Sequence, residues 1–133
     1  TRTNAIRIMK KYVVLVAGGS GNRMKSVLPK QFISILNKPV ICHTIERFLE
    51  ADEDFRIIIV LPNEHYETGT NIINTHFPDN KFLITTGGAS RFDSVRNGLD
   101  MIKEEGVVLV HDAVRCLVTT DVINGLNEKY PSK

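Results

Sequence analysis

Arg23, Lys30 and Asp112 are the two cations and one carboxylate whose settings suit the handling of a polyphosphate. Arg23 closes the run Ala17-Gly18-Gly19-Ser20-Gly21-Asn22-Arg23, and Lys30 lies just beyond it in Pro29-Lys30-Gln31-Phe32. Cations aimed at phosphate oxygens that gain charge during nucleotidyl transfer stabilise the transition state more than the ground state. The missing side chains at Gly18, Gly19 and Gly21 let backbone N–H groups approach a phosphate or a base. Asp112 ends an apolar run, and one carboxylate together with a nucleotide's phosphates can hold Mg²⁺. Each residue also has a plainer reading: solvated surface cations, a loop-capping aspartate and an ordinary strand-to-helix turn.

Better-known phosphate loops fit less well. Met24 stands where a dinucleotide fingerprint or a P-loop requires glycine. His111 reads as a packed or hydrogen-bonded residue at a strand end, and His43, His65 and His76 lack metal-ligand spacing to one another.

These residues need a scaffold that brings distant segments together. Four apolar runs, Tyr12 to Val16, Ile57 to Leu61, Phe82 to Ile84 and Val107 to Val110, read as strands covered on both faces, the pattern of a parallel sheet. A helix is expected from Pro39, burying Ile41, Ile45, Phe48 and Leu49. A weaker one runs from Pro62 to about Thr75, closed by Pro78. A third starts at Ser90, with Ser90 and Asp93 spaced as a capping box. In it Phe92, Val95, Leu99 and Ile102 recur at helical intervals, and Gly106 is read as its end. A last helix, from about Thr120 to Lys129, would bury Val122, Ile123 and Leu126.

This alternation predicts a doubly wound, mostly parallel α/β sheet with right-handed crossovers. Ligands of such sheets bind beyond the carboxyl ends of the strands. Three segments are expected there: the first glycine run, Gly87-Gly88-Ala89-Ser90-Arg91, and His111-Asp112-Ala113-Val114-Arg115. No strand follows the last helix, so the sheet is expected to be truncated at its C-terminal side.

The 133 residues, 42% hydrophobic and 24% charged, suit one core. Residues 1 to 8 precede Met9 and are expected to be an added or disordered leader, leaving 9 to 133 as part of one domain. The net charge of +2 is scattered, which argues against nucleic acid. No run reaches the roughly 20 apolar residues of a membrane span, so no membrane partner and a cytoplasmic location are expected. Cys42 and Cys116 have neither disulfide-framework nor zinc spacing and are read as reduced thiols.

Four motifs, in order, resemble one family. They are Ala17-Gly18-Gly19-x-Gly21-x-Arg23-Met24, Pro29-Lys30-Gln31-Phe32, Gly87-Gly88-x-x-Arg91-x-Asp93-Ser94-Val95-x-Asn97-Gly98-Leu99, and Val110-His111-Asp112-Ala113-x-Arg115. Their order and spacing are similar to those of the 2-C-methyl-D-erythritol 4-phosphate cytidylyltransferases of isoprenoid precursor synthesis, over roughly residues 10 to 130. The resemblance implies a nucleotide-diphospho-sugar transferase fold and a Mg²⁺-dependent nucleotidyltransferase joining CTP to a sugar-alcohol phosphate. It also implies nucleotide binding by Ala17, Gly18, Gly19, Gly21, Gly88, Ala89, Ser94 and Ala113. Arg23 and Lys30 would stabilise the pentavalent phosphorus, Asp112 would bind Mg²⁺ and Arg115 would contact substrate. A homodimer is implied for the full-length protein. Gly18 replaces a common alanine of the family, Ala89 a frequent acidic residue and Cys116 the usual proline. The sister ribitol-5-phosphate cytidylyltransferases share the glycine loop, Pro-Lys-Gln-Phe and His-Asp-Ala-Val-Arg, whereas Asp93-Ser94-Val95 favours the methylerythritol enzyme. A noncatalytic nucleotide-binding or interaction fragment is the alternative of another class.

Overall fold

The computed structural model describes residues 10–17 and 29–113. Its main sheet has four parallel strands: β1 (Lys10–Val16), β4 (Arg56–Leu61), β5 (Leu83–Thr86) and β6 (Gly106–Asp112). They lie in the order β5-β4-β1-β6, so the chain builds outward from β1 on one side and then crosses to the other. Helices α1 (Val40–Ala51), α2 (Tyr66–His76) and α3 (Arg91–Leu99) fill the connections. A small antiparallel hairpin of β2 (Ser34–Ile35) and β3 (Lys38–Pro39) leads into α1. All four expected strands are present, which bears out the doubly wound reading. The expected helix over 120–129 lies outside the described residues.

The uninterrupted apolar character of β1 follows from its central place. Val13 and Leu15 face a cluster with Ile41, Ile45 and Phe48 of α1 and Ile73 of α2. Tyr12, Val14 and Val16 face the other side, against Val95, Met101 and Ile102. Crossovers of constant handedness put helices on opposite faces when strand order reverses, and the two clusters show that division. Each large side chain so buried contributes roughly 1.5–3 kcal/mol.

Two expectations for the third helix are corrected. It ends at Leu99, with Asp100 N–H donating to Arg96 O, and Gly106 instead opens β6. A side chain at Gly106 would stand 2.6 Å from Lys10 O and 2.8 Å from the Tyr12 ring, so sheet packing explains this glycine. The buried face also differs. Phe92 is 72% exposed and Leu99 39%, while Ser94 and Gly98 are buried. Small residues let α3 approach the sheet, since a Cβ at Gly98 would lie 2.6 Å from Val14 Cγ1. The Phe92 ring instead packs beneath the Arg96 guanidinium, 5.6 Å away, where the ring face attracts the cation.

Charges gather at the amino ends of the strands. Glu104 pairs with Lys10 at 2.6 Å and Arg56 at 3.4 Å, and accepts a long 3.5 Å bond from the Tyr12 hydroxyl. The Lys10 hydrogen bond is the main cause holding its carboxyl below the usual range. Lys11 is 4% exposed, yet its ammonium meets Asp52 Oδ2 at 2.5 Å and lies 5.6 Å from the Phe55 ring centre. Removing either partner of such a buried pair takes a close opposite charge from the other, which is costly where water is excluded.

Cys42, on α1, is fully buried. Burial, reinforced by the nearby Glu46 carboxylate, pushes its thiol from 9.0 up to about 11, because both disfavour the thiolate. The folded state therefore keeps this proton longer than the unfolded state. The resulting stability is complete below pH 9 and lost as pH rises towards 11. With Cys116 replaced by Ser, a thiol reagent at pH 8 should find no reactive group in the native protein and one after denaturation. Ready native-state labelling of Cys42 would contradict this burial.

Candidate functional site

The hydrogen-bond ladder continues one residue past the carboxyl ends of the strands. Ala17 N–H donates to Val60 O at 2.7 Å, Gly87 N–H to Leu61 O at 2.8 Å, and Ala113 N–H to Val16 O at 3.1 Å. One residue from each of three motif segments is thereby fixed at one end of the sheet. Asp112 lies in register with Val16, and Ala17 directly follows that residue.

The segment bearing Lys30 is anchored to the same place. Lys30–Phe32 form a single 3-10 turn after Pro29. Gln31, 8% exposed, donates through Nε2 to Ala17 O at 2.5 Å, and Phe32 is buried in the core. The two residues after Lys30 thus anchor the turn while its own side chain stays exposed. Among the described residues Lys30 makes no ion pair. Arg23, Gly18, Gly19, Gly21 and Arg115 lie outside the described residues.

The second glycine segment is shaped by the start of α3. Ser90 caps the helix, its Oγ accepting from Asp93 N–H at 3.1 Å, as the capping-box spacing predicts. Gly88 N–H donates to Ser94 Oγ at 3.2 Å, and Asn97 Nδ2 donates to Thr86 O at 2.9 Å. Ser94 is wholly buried, so its hydroxyl supports the loop from beneath. Gly88 has to be glycine, because an added Cβ would sit 2.4 Å from Asp93 Cβ. Ala89 is exposed at the tip of this loop.

The third segment closes the arrangement. Ala113 is buried, and its carbonyl accepts from Thr44 Oγ1 of α1 at 2.8 Å. His111 packs edge-on against Phe48, ring centres 5.3 Å apart, as its reading as a packed histidine expects. The Asp112 side chain is 30% exposed and pairs with Arg91 of α3, Nη2 to Oδ1, at 3.4 Å. No cluster of three or more His, Cys, Asp or Glu suited to a metal occurs among the described residues. The supporting parts played by Gln31, Thr44 and Asn97 escaped the sequence reading. Thr44 carried a signal, being a polar residue on a helix face that also presents Ile41 and Phe48.

A cavity of about 890 Å³ opens elsewhere, between Phe55, Phe77, Phe82, Leu83, Met101 and Glu104 at the amino ends of the strands. It contains none of the motif residues. Among the described residues, no helix is long and apolar enough to cross a membrane.

Comparison with known proteins agrees with the motif geometry. A relative from Bacteroides thetaiotaomicron, named 2-C-methyl-D-erythritol 4-phosphate cytidylyltransferase, is 45% identical over 86% of this chain and 52% of its own length. One of the same name from Leptospira interrogans is 37% identical over 92% of this chain and 52% of its own. The chain thus spans about half the length of the curated relatives it matches. Among solved structures, the Francisella tularensis 2-C-methyl-D-erythritol 4-phosphate cytidylyltransferase superposes with a TM-score of 0.68 at 28% identity, covering 93% of this chain and 53% of that one. The 4-diphosphocytidyl-2C-methyl-D-erythritol synthase of Anaerococcus prevotii shares the fold, with a TM-score of 0.71 at 22% identity, over 92% of this chain and 52% of that one. The family model for 2-C-methyl-D-erythritol 4-phosphate cytidylyltransferase matches residues 11–131, and with the motif segments converging at one end of the sheet, the chain belongs to that family.

Proposed function

We propose that the whole protein, of which this chain carries the nucleotide-binding part, transfers a cytidylyl group from CTP to 2-C-methyl-D-erythritol 4-phosphate. The products are 4-diphosphocytidyl-2-C-methyl-D-erythritol and pyrophosphate. A phosphate oxygen of the sugar alcohol attacks the α-phosphorus of CTP in line. The bond from that phosphorus to the bridging oxygen breaks, and its electron pair leaves with pyrophosphate. Lys30 and Arg23 are assigned to the phosphate oxygens that gain charge. The loops at Ala17 to Gly21 and Gly88 to Ala89, supported by Ser94 and with Ala113 beside the ribose, are assigned to the nucleoside, and Arg115 to the substrate. A homodimer is proposed for the whole protein.

The observation that carries this reading is the junction at the end of β1. Gln31 fixes the Lys30 turn to Ala17, while the β6 register sets Asp112 beside Val16. A cation and a carboxylate from segments far apart in the chain therefore share one end of the sheet.

The donor set fits Mg²⁺. Asp112 offers partly exposed carboxylate oxygens, the neighbouring His111 is packed against Phe48, and no cluster of softer ligands occurs among the described residues. Mg²⁺ accepts one or two carboxylates when phosphates complete its shell. Bound there, Mg²⁺ would neutralise part of the triphosphate charge.

The test is pyrophosphate release by the intact protein with CTP and Mg²⁺. Methylerythritol phosphate should support turnover and ribitol 5-phosphate should not. Turnover with ribitol 5-phosphate alone would transfer the assignment to the sister enzyme. Absence of both turnover and CTP binding would leave a noncatalytic module.

A further inference from the structure

We propose that Arg91 is a positioning residue that holds the Asp112 carboxylate before a metal arrives and then gives up Oδ1 to it. This inference rests on the reading of Asp112 as a Mg²⁺ ligand. Arg91 is the first residue of α3, and Asp112 the last of β6. Their 3.4 Å contact therefore bridges two of the motif segments, the second glycine loop and the end of the fourth parallel strand.

The placement of Arg91 is set from both sides. Ser90 caps α3, and the Ser94 and Asn97 side chains bind the adjoining loop and strand, so the base of Arg91 is fixed. Its side chain is 57% exposed and, among the described residues, it makes one long contact with Oδ1, a geometry that suits a replaceable partner. Structural arginine–carboxylate pairs are more often bidentate and shorter. Exposed pairs of this kind are weak, and a divalent cation bound together with a triphosphate easily outcompetes them. A guanidinium released from Oδ1 remains at the start of α3, in the same segment as Gly88. The charge balance is thereby kept: Arg91 offsets part of the Asp112 charge without metal, and a bound cation would supply that positive charge in its place.

Competition makes a measurable demand. Without nucleotide, Arg91→Ala should tighten Mn²⁺ binding to the intact protein by roughly three- to tenfold, because the variant loses both a competitor for Oδ1 and a nearby positive charge. Arg91→Lys should stay near the wild-type affinity, and Asp112→Asn should abolish the site in either background. Mn²⁺ electron paramagnetic resonance titration reads all of these proteins without turnover. Unchanged or weaker Mn²⁺ binding in Arg91→Ala overturns the role of Arg91 while leaving the metal reading intact, provided that wild type still binds Mn²⁺ with CTP. If wild type binds no Mn²⁺ even with CTP, the metal reading of Asp112 fails first and this inference goes with it. Arg91 is a surface residue, so its variants are expected to keep the native unfolding temperature, which calorimetry checks.

Discussion

Lys30→Ala is expected to lower kcat/KM for pyrophosphate release by roughly 10²- to 10³-fold, the range seen when one preorganised transition-state contact is removed. The side chain is exposed and makes no ion pair among the described residues, so its loss removes little packing. Thermal unfolding should therefore match wild type, since exposed substitutions of this kind usually change stability by less than about 0.5 kcal/mol. Lys30→Arg keeps the charge with a different reach and should recover part of the rate. Steady-state kinetics beside calorimetry separates chemistry from folding. A drop smaller than about tenfold, with normal stability, would remove Lys30 from the transition-state contacts.

Phe48→Ala should produce the largest loss of stability, about 3–5 kcal/mol, as aromatic truncations in closed cores do. Phe48 is fully buried and lies edge-on to both Phe55, at 5.7 Å, and His111, at 5.3 Å. Its ring thus joins the core of α1 to the strand that ends in Asp112. Phe48→Leu should cost less because more of the volume is retained. Urea unfolding of the intact protein gives both numbers. A cost below about 1.5 kcal/mol for the alanine variant would mean that the surroundings collapse to fill the space.

Most of the scaffold could be read from the chain because a doubly covered strand and an amphipathic helix leave different hydrophobic periods. Tyr12 to Val16 and Ile57 to Leu61 announced themselves as strands in that way, and Ser90 announced the start of α3 by its capping spacing. The face of α3 was misread because the helix presents its smallest residues to the sheet. Hydrophobicity points to Phe92, but steric access points to Gly98. The hairpin before α1 also escaped notice. Its turn places Leu36 at φ 54° and Asn37 at φ 68°, where glycine would be the usual signal, and leucine conceals it.

The candidate site was legible as residue types but not as contacts. Lys30 and Asp112 stood out by charge and motif, whereas nothing in the order of residues said that Gln31 would reach Ala17 or that Arg91 would reach Asp112. Such links depend on strand order, and β1 and β6 become neighbours only because the chain crosses to the other side of β1 after β5.

The knot of ions around Glu104 makes that end of the molecule a good place for a handle. Lys103 is exposed beside it, and the whole length of β6 separates it from Asp112. At the usual rise of a parallel strand that length is about 20 Å. A fluorophore or surface tether attached through that lysine would hold the protein by the end of the sheet remote from Asp112.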